Sequence, residues 1–521
     1  MQRQHLLALL ARPTTYDVAV IGGGATGLGV ALDAVARGFS VVLVESHDFA
    51  GGTSSRATKL VHGGVRYLAQ GNIALVREAL QERTTLLQNA PHLAQPLPFV
   101  MPSYRWWETP FYGAGLKAYD VLAGKAGLGP TEFLGRRETL ACLPTALPEG
   151  LKGGVKYWDG QFDDARLALA LARTAAARGA VLVNYCAATG LLHERGKVAG
   201  LNCVDGETGQ AFAVKARCVV NAAGVWVDAV RQQDGAATGR PVRAMVAPSQ
   251  GVHVVVDRDF LPGTHALMVP KTADGRVLFG VPWLGKVILG TTDTPRGDLD
   301  REPRPFREEI EFILGESARY LQRAPAVADL RSVWVGLRPL VRPSDDDGAN
   351  TKALSREHTV LASPSGLVTV TGGKWTTYRA MAEDVLEQCF ASGLLPRKEA
   401  GATRNLRLVG GAVSAAQPPV SAMPGLHSYG SEAAAVAALP GAQRLLGWGL
   451  TEAMVRFAAR EEYARTAEDV LARRSRILFL DARLAGSLAQ QVGDILAEET
   501  GADPRAGALE VLARRYIELP D

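Results

Sequence analysis

Three kinds of side chain in this 521-residue chain are placed to do chemistry: a lysine behind paired glycines, two histidines, and arginines near apolar runs. Lys374 follows Gly372 and Gly373 and precedes Thr376 and Thr377. A cation in such a turn stabilises negative charge that develops on a bound redox ring. His253 lies in the strand-like run Val252 to Val256, and His62 sits beside Gly63 and Gly64. An imidazole titrates near neutrality, so either histidine suits removal of a hydroxyl proton as hydride leaves the adjoining carbon. His253 is preferred, His62 stays open as the base, and for each the alternative is an imidazole held by purely structural hydrogen bonds. Arg338 stands between Leu337 and Pro339, where burying a guanidinium without an anion is costly. Arg356 is a second candidate anion ligand, although Glu357 and His358 beside it also suit a surface ion pair.

These groups lie far apart in sequence, so a scaffold must gather them, and its first strand is legible at Tyr16 to Ile21. A glycine turn follows at Gly22, Gly24 and Gly27, and Glu45 closes the next apolar run, Val41 to Val44. In a dinucleotide site the first glycine makes the tight turn, the second admits the pyrophosphate and the third lets helix pack on strand. The acid accepts from a ribose hydroxyl, and the helix start at Ala25 and Thr26 faces the phosphates. Further along, Gly51 to Tyr67 is rich in glycine and hydroxyl groups and reads as a lining for something phosphorylated, with Thr53, Ser54 and Ser55 as donors. Helices are expected over Ile73 to Asn89, Asp164 to Arg178, Thr377 to Phe390 and Thr451 to Ala472. Buried strands are expected at Val181 to Tyr185, Cys218 to Ala223 (ending at Gly224) and Leu367 to Val370. From Met245 to Leu289 short strands alternate with turns, including a hairpin at Ala273-Asp274-Gly275-Arg276.

The glycine turn is shared by nicotinamide and flavin enzymes, so the later motifs must discriminate. They are Gly51 to Tyr67, Gly290-Thr291-Thr292-Asp293, Gly336 to Leu340, Leu354-Ser355-Arg356, Gly372 to Arg379 and Glu468 to Arg474. Through these the chain resembles the FAD-dependent glycerol-3-phosphate dehydrogenases, a branch of the glutathione-reductase-like flavoproteins related to D-amino-acid oxidase. The resemblance implies an α/β fold: an FAD-binding Rossmann domain in three pieces (14–98, 150–240 and 351–400), an antiparallel substrate domain (99–149 and 241–350) and a C-terminal α-helical domain (405–521). It implies oxidation of sn-glycerol 3-phosphate to dihydroxyacetone phosphate, hydride transfer to flavin N5 and electron delivery to a membrane quinone. Arg338 and Arg356 correspond to phosphate-binding arginines, with Arg66 and Tyr67 as active-site wall. The cofactor set takes in Lys59, His62, Gly63, Gly64, Gly224, Gly373, Lys374, Thr376 and Thr377. Members of the family often carry a lysine where this chain has Gln250, which removes that cation. An oxidase using oxygen, an amino-acid oxidase of the same fold and a non-catalytic flavin-binding protein remain the alternatives.

Composition bounds the partners. A net charge of +4 is too weak to argue for nucleic acid. Five scattered cysteines, Cys142, Cys186, Cys203, Cys218 and Cys389, lack metal-ligand spacing and read as small hydrophobes in a reducing compartment. The first strand begins so early that no signal peptide is expected, and no run reaches the roughly twenty apolar residues of a membrane span. Membrane contact is therefore expected to be peripheral, from the cytoplasmic side of an inner membrane. Trp106, Trp107, Phe111 and Tyr112, near Arg105 and Lys117, suit either headgroup depth or interdomain packing. The C-terminal region is expected to cap the substrate entrance or to form a homodimer contact.

Overall fold

The computed structural model describes residues 3–64, 72–342, 357–413 and 417–520. Its first layer is built on the strand Thr15–Ile21, whose Val18, Ala19 and Val20 are fully buried. That strand pairs in parallel with Val41–Val44 on one side and Ala211–Asn221 on the other. Leu367–Gly372 and Val181–Val183 extend the parallel sheet outward. Helices Ala25–Ala36, Asp164–Ala177 and Tyr378–Ala391 pack into the same apolar core, which explains why these strands read as continuous hydrophobic runs. A Cβ at Gly27 would sit 2.0 Å from the Gly22 carbonyl oxygen, so the first helix can start this close to its strand only with glycine there.

The second layer is a mostly antiparallel sheet. Val246–Asp257 lies between Lys286–Gly290 and Ser332–Val341, and the hairpin at Gly275 joins Ala266–Val269 to Leu278–Trp283. Ala94–Ser103 adds in parallel beside Ala266–Val269 and pairs along its length with Gly153–Phe162. Ala94–Ser103 straddles the bound expected at 98, and Gly153–Phe162, beyond the bound expected at 150, still belongs to the second sheet because it pairs with Ala94–Ser103, so the return to the first layer comes after Phe162.

Helices Glu452–Glu461, Ala482–Thr500 and Ala506–Arg515 form a C-terminal bundle that shares a core with Trp283 and Trp334 of the second sheet. The single helix expected over Thr451 to Ala472 is broken. Tyr463 adopts a left-handed φ of 60°, and the Asp469 carboxylate accepts from the amides of Arg465 at 2.8 Å and Thr466 at 2.9 Å, starting a separate π-helical turn, Asp469–Arg474. No helix among the described residues is long and apolar enough to cross a membrane.

Candidate functional site

Both layers border one cavity of about 700 Å³. On the first-layer side it is lined by Gly22, Gly24, Ala25, Thr26 and Glu45. Gly22 holds a φ of 109°, and a Cβ there would meet the Ala222 carbonyl oxygen at 2.6 Å. Gly24, the cap residue of the helix, has no side chain to bond its leading amides; the first of them, Ala25, donates to Ser54 Oγ at 2.9 Å, and the helix start faces the cavity as an anion-binding end. Glu45 is fixed by the amides of Gly23 at 2.7 Å and His47 at 2.9 Å. This wall fits the pyrophosphate and ribose of an adenine dinucleotide.

The loop that follows turns one face to the cavity through Thr53, Ser54, Arg56 and Thr58. Thr53 Oγ1 donates to the Leu337 carbonyl at 2.5 Å, and Trp375 Nε1 donates to the Ser54 carbonyl at 2.9 Å. These bonds tie the loop to both layers. His62, Gly64, Gly224, Gly373, Lys374 and Thr376 also line the cavity, and the His62 amide donates to Thr376 Oγ1 at 3.2 Å. Gly372 and Gly373 both have left-handed φ, 81° and 72°, which turns the chain so that Lys374 borders the cavity.

Sheet register assembles the remaining groups. His253 is paired with Trp334, Gly251 with Gly336 and Ser249 with Arg338, and directly opposed residues project from the same face. His253 and Arg338 therefore share one surface of the sheet. A Cβ at Gly251 would lie 2.2 Å from Arg338 Nη2, so the guanidinium lies across that glycine, donating to the Thr292 carbonyl at 3.0 Å and Thr291 Oγ1 at 3.2 Å. The His253 ring stacks on Trp334 with centroids 4.1 Å apart, and its Nε2 is 3.0 Å from Thr58 Oγ1. Burial, reinforced by the charges of Lys59 and Arg338, holds His253 well below the ordinary imidazole range, so the ring is neutral. Gln250, between these positions, points to the opposite side and donates to Glu309 Oε2 at 2.5 Å.

Several residues assigned to the cofactor from sequence take other places. Lys59 is fully buried behind the cavity, 2.7 Å from Asp164 and over the Trp334 ring, and burial lowers its pKa to about 7. Ser55, Gly63 and Thr377 do not line the cavity: Ser55 is buried beneath the loop, the Gly63 amide donates to Tyr119 Oη at 2.9 Å, and Thr377 Oγ1 donates to the Lys374 carbonyl at 3.3 Å. Gly27 acts through helix packing, as its spacing suggests. Arg66, Tyr67 and Arg356 lie outside the described residues. Thr58, Arg276 and Arg301 line the cavity without having been singled out in sequence. Burial lowers the pKa of Arg301, which sits among Glu468, Glu45 and Arg473, and its polar loop carries no periodic signal that marks it.

A Rossmann-type sheet with this glycine turn, joined to an antiparallel sheet across a shared cavity, defines an FAD-dependent oxidoreductase. The family described as "FAD dependent oxidoreductase" matches residues 17–379, and the "C-terminal domain of alpha-glycerophosphate oxidase" matches residues 401–506. The mitochondrial glycerol-3-phosphate dehydrogenase of Homo sapiens is 40% identical over 538 residues, covering 96% of this chain and 73% of the relative. That of Arabidopsis thaliana is 40% identical, covering 96% and 85%. The solved glycerol-3-phosphate dehydrogenase of Bacillus halodurans, complexed with FAD, is 29% identical with a TM-score of 0.78 and covers 99% of this chain and 98% of its own. This chain belongs to the FAD-dependent glycerol-3-phosphate dehydrogenase family.

Proposed function

We propose that this protein oxidises sn-glycerol 3-phosphate to dihydroxyacetone phosphate and passes the electrons to a membrane quinone. The observation that carries the reading is the placement of Arg338 and a neutral His253 on one face of the sheet, bordering the cavity that His62 and Lys374 also line. FAD, when bound, supplies the ring that accepts hydride from C2 of the alcohol. Arg338 grips the substrate phosphate through charge-assisted hydrogen bonds. The alcohol proton passes through the Thr58 hydroxyl, which lines the cavity, to His253 Nε2 at 3.0 Å. Stacking on Trp334 keeps the imidazole oriented for this transfer, and Lys374 offsets negative charge on the cofactor side.

Membrane delivery is supported by an exposed aromatic surface. Trp106 is 82% exposed and Phe111 65%, Val121 and Phe133 are exposed as well, and Arg105, Lys117 and Lys125, all exposed, lie on or beside the same helix, Glu108–Ala123. Such a mixture suits the headgroup layer of an anionic bilayer. The proposed contact is peripheral, at the cytoplasmic face of an inner membrane; the aromatic surface supports the membrane contact alone. Oxygen as acceptor is a second reading, favoured by the match of residues 401–506 to an oxidase C-terminal domain.

Anaerobic addition of a polyol panel to the FAD-loaded enzyme tests the assignment. Glycerol 3-phosphate bleaches the oxidised-flavin band and glycerol does not; equal response to both would remove the phosphate-binding argument. A soluble quinone then restores the band within turnover time, whereas restoration by oxygen alone would favour the oxidase.

A further inference from the structure

Buried charge joins the C-terminal segment to the underside of the cofactor loop. Asp48, just ahead of the loop, accepts from Arg473 Nε and from Arg474 Nη1 and Nη2, the last at 3.0 Å. The Ser55 carbonyl accepts from Arg476 Nη2 and Lys59 Nζ, each at 2.7 Å. Asp164 links the same two cations, accepting from Lys59 at 2.7 Å and Arg476 at 3.1 Å, and also accepts from the Ala57 amide at 3.1 Å. A third tie runs through Glu302, which pairs with Arg56 and accepts from the Tyr516 hydroxyl at 3.0 Å.

Arg476 and Lys59 both hold a left-handed φ of 66°. A residue with a Cβ keeps this conformation only where its surroundings over-determine it, and here it aims two cations at one carbonyl. Arg473, Arg474 and Arg476 do not line the cavity, whereas the opposite face of the loop does, through Thr53, Ser54, Arg56 and Thr58. Ordinary domain packing does not call for this much buried charge, because well-packed apolar residues serve stability as well or better. What such a network fixes is the position of the groups it bonds: one carboxylate ahead of the loop, one carbonyl within it and one guanidinium on its cavity face.

We propose that residues 468–476 are a working part of the cofactor site: Arg474 and Arg476 are positioning residues that hold residues 48–59 in the conformation that grips FAD. Order in the C-terminal segment and FAD affinity are then reciprocally linked. FAD titrated into apoenzyme, read by flavin fluorescence quenching, tests this. Arg476→Met raises the dissociation constant about tenfold or more, within the range of coupling between distinct sites, and Arg476→Lys recovers part of the loss. Arg456→Met, in the Glu452–Glu498–Glu499 cluster of the same bundle, lowers Tm while leaving FAD affinity within about twofold, since it has no coupling to the loop. A folded Arg476→Met protein with unchanged FAD affinity overturns the proposal. Because that variant is open to misfolding, hydrogen exchange on the unmodified protein supplies an independent arm. Amides of 48–59 and 468–476 gain protection together on FAD binding; protection confined to 48–59 overturns it.

Discussion

Replacing Arg338 with alanine removes the cation assigned to the substrate phosphate. In the structure Nη2 is spent on the Thr292 carbonyl and Thr291 Oγ1, and Nη1 lies 3.6 Å from Asp293, which offsets part of the charge. The side chain keeps 24% exposure, so water screens it further. Two charge-assisted bonds to a phosphate contribute about 3 to 6 kcal/mol before these discounts, and the low end is the appropriate figure. About 3 kcal/mol corresponds to a loss of roughly 150-fold in kcat/KM. The loss should fall chiefly on KM, because the phosphate is remote from the reacting carbon and binds alike in ground and transition states. Steady-state turnover with an artificial electron acceptor, alongside flavin content per chain, measures both parameters. Arg338→Lys keeps the charge but loses the fork, and should recover only part of the affinity. A KM within twofold of the unmodified enzyme (roughly 0.4 kcal/mol or less), at full FAD content, would refute the phosphate assignment.

His253→Gln should lower kcat by about 10² to 10⁴ while FAD content is retained, as loss of a general base does; Thr58→Val should lower kcat with the same FAD retention if the hydroxyl carries the proton. Stability should fall on acidification: burial is the main cause that holds His92 at about 3 and His253 well below 6.5, so the unfolded chain takes up protons first. Each such imidazole costs about 1.6 kcal/mol between pH 6.5 and 5, a slope that urea midpoints should show and that His92→Gln should flatten. Trp106→Ala with Phe111→Ala should weaken binding to anionic vesicles by about tenfold or more, given the apolar area each ring buries at the interface; unaltered co-sedimentation would remove that surface from the membrane reading.

The first layer was legible because its determinants are local. The strand at 16–21, the glycine turn and the acid at 45 are read from neighbours in sequence, and the buried runs announce a sheet covered on both faces. Arg338 and His253 were recognisable as chemistry, but their shared face depends on the pairing of Ser249 with Arg338, a register between strands some eighty residues apart that no local pattern encodes. Lys59 was misplaced for a related reason. Its segment is rich in cofactor-facing groups, yet a left-handed φ turns this one side chain away toward Asp164. The break in the helix expected over Thr451 to Ala472 depends on Asp469 capping amides ahead of it, and Asp48 and Ser55, the loop-side partners of Arg473, Arg474 and Arg476, lie hundreds of positions earlier. Long-range charge pairing leaves no periodicity to detect.

Single-turnover reduction of the FAD-loaded enzyme by glycerol 3-phosphate carrying deuterium at C2 tests the central claim most directly. Hydride removal from that carbon within the cavity predicts flavin reduction slowed several-fold relative to the protiated substrate, as a primary isotope effect on the step that breaks the bond. Reduction at identical rates, or no bleaching of the flavin by either substrate, would contradict the account.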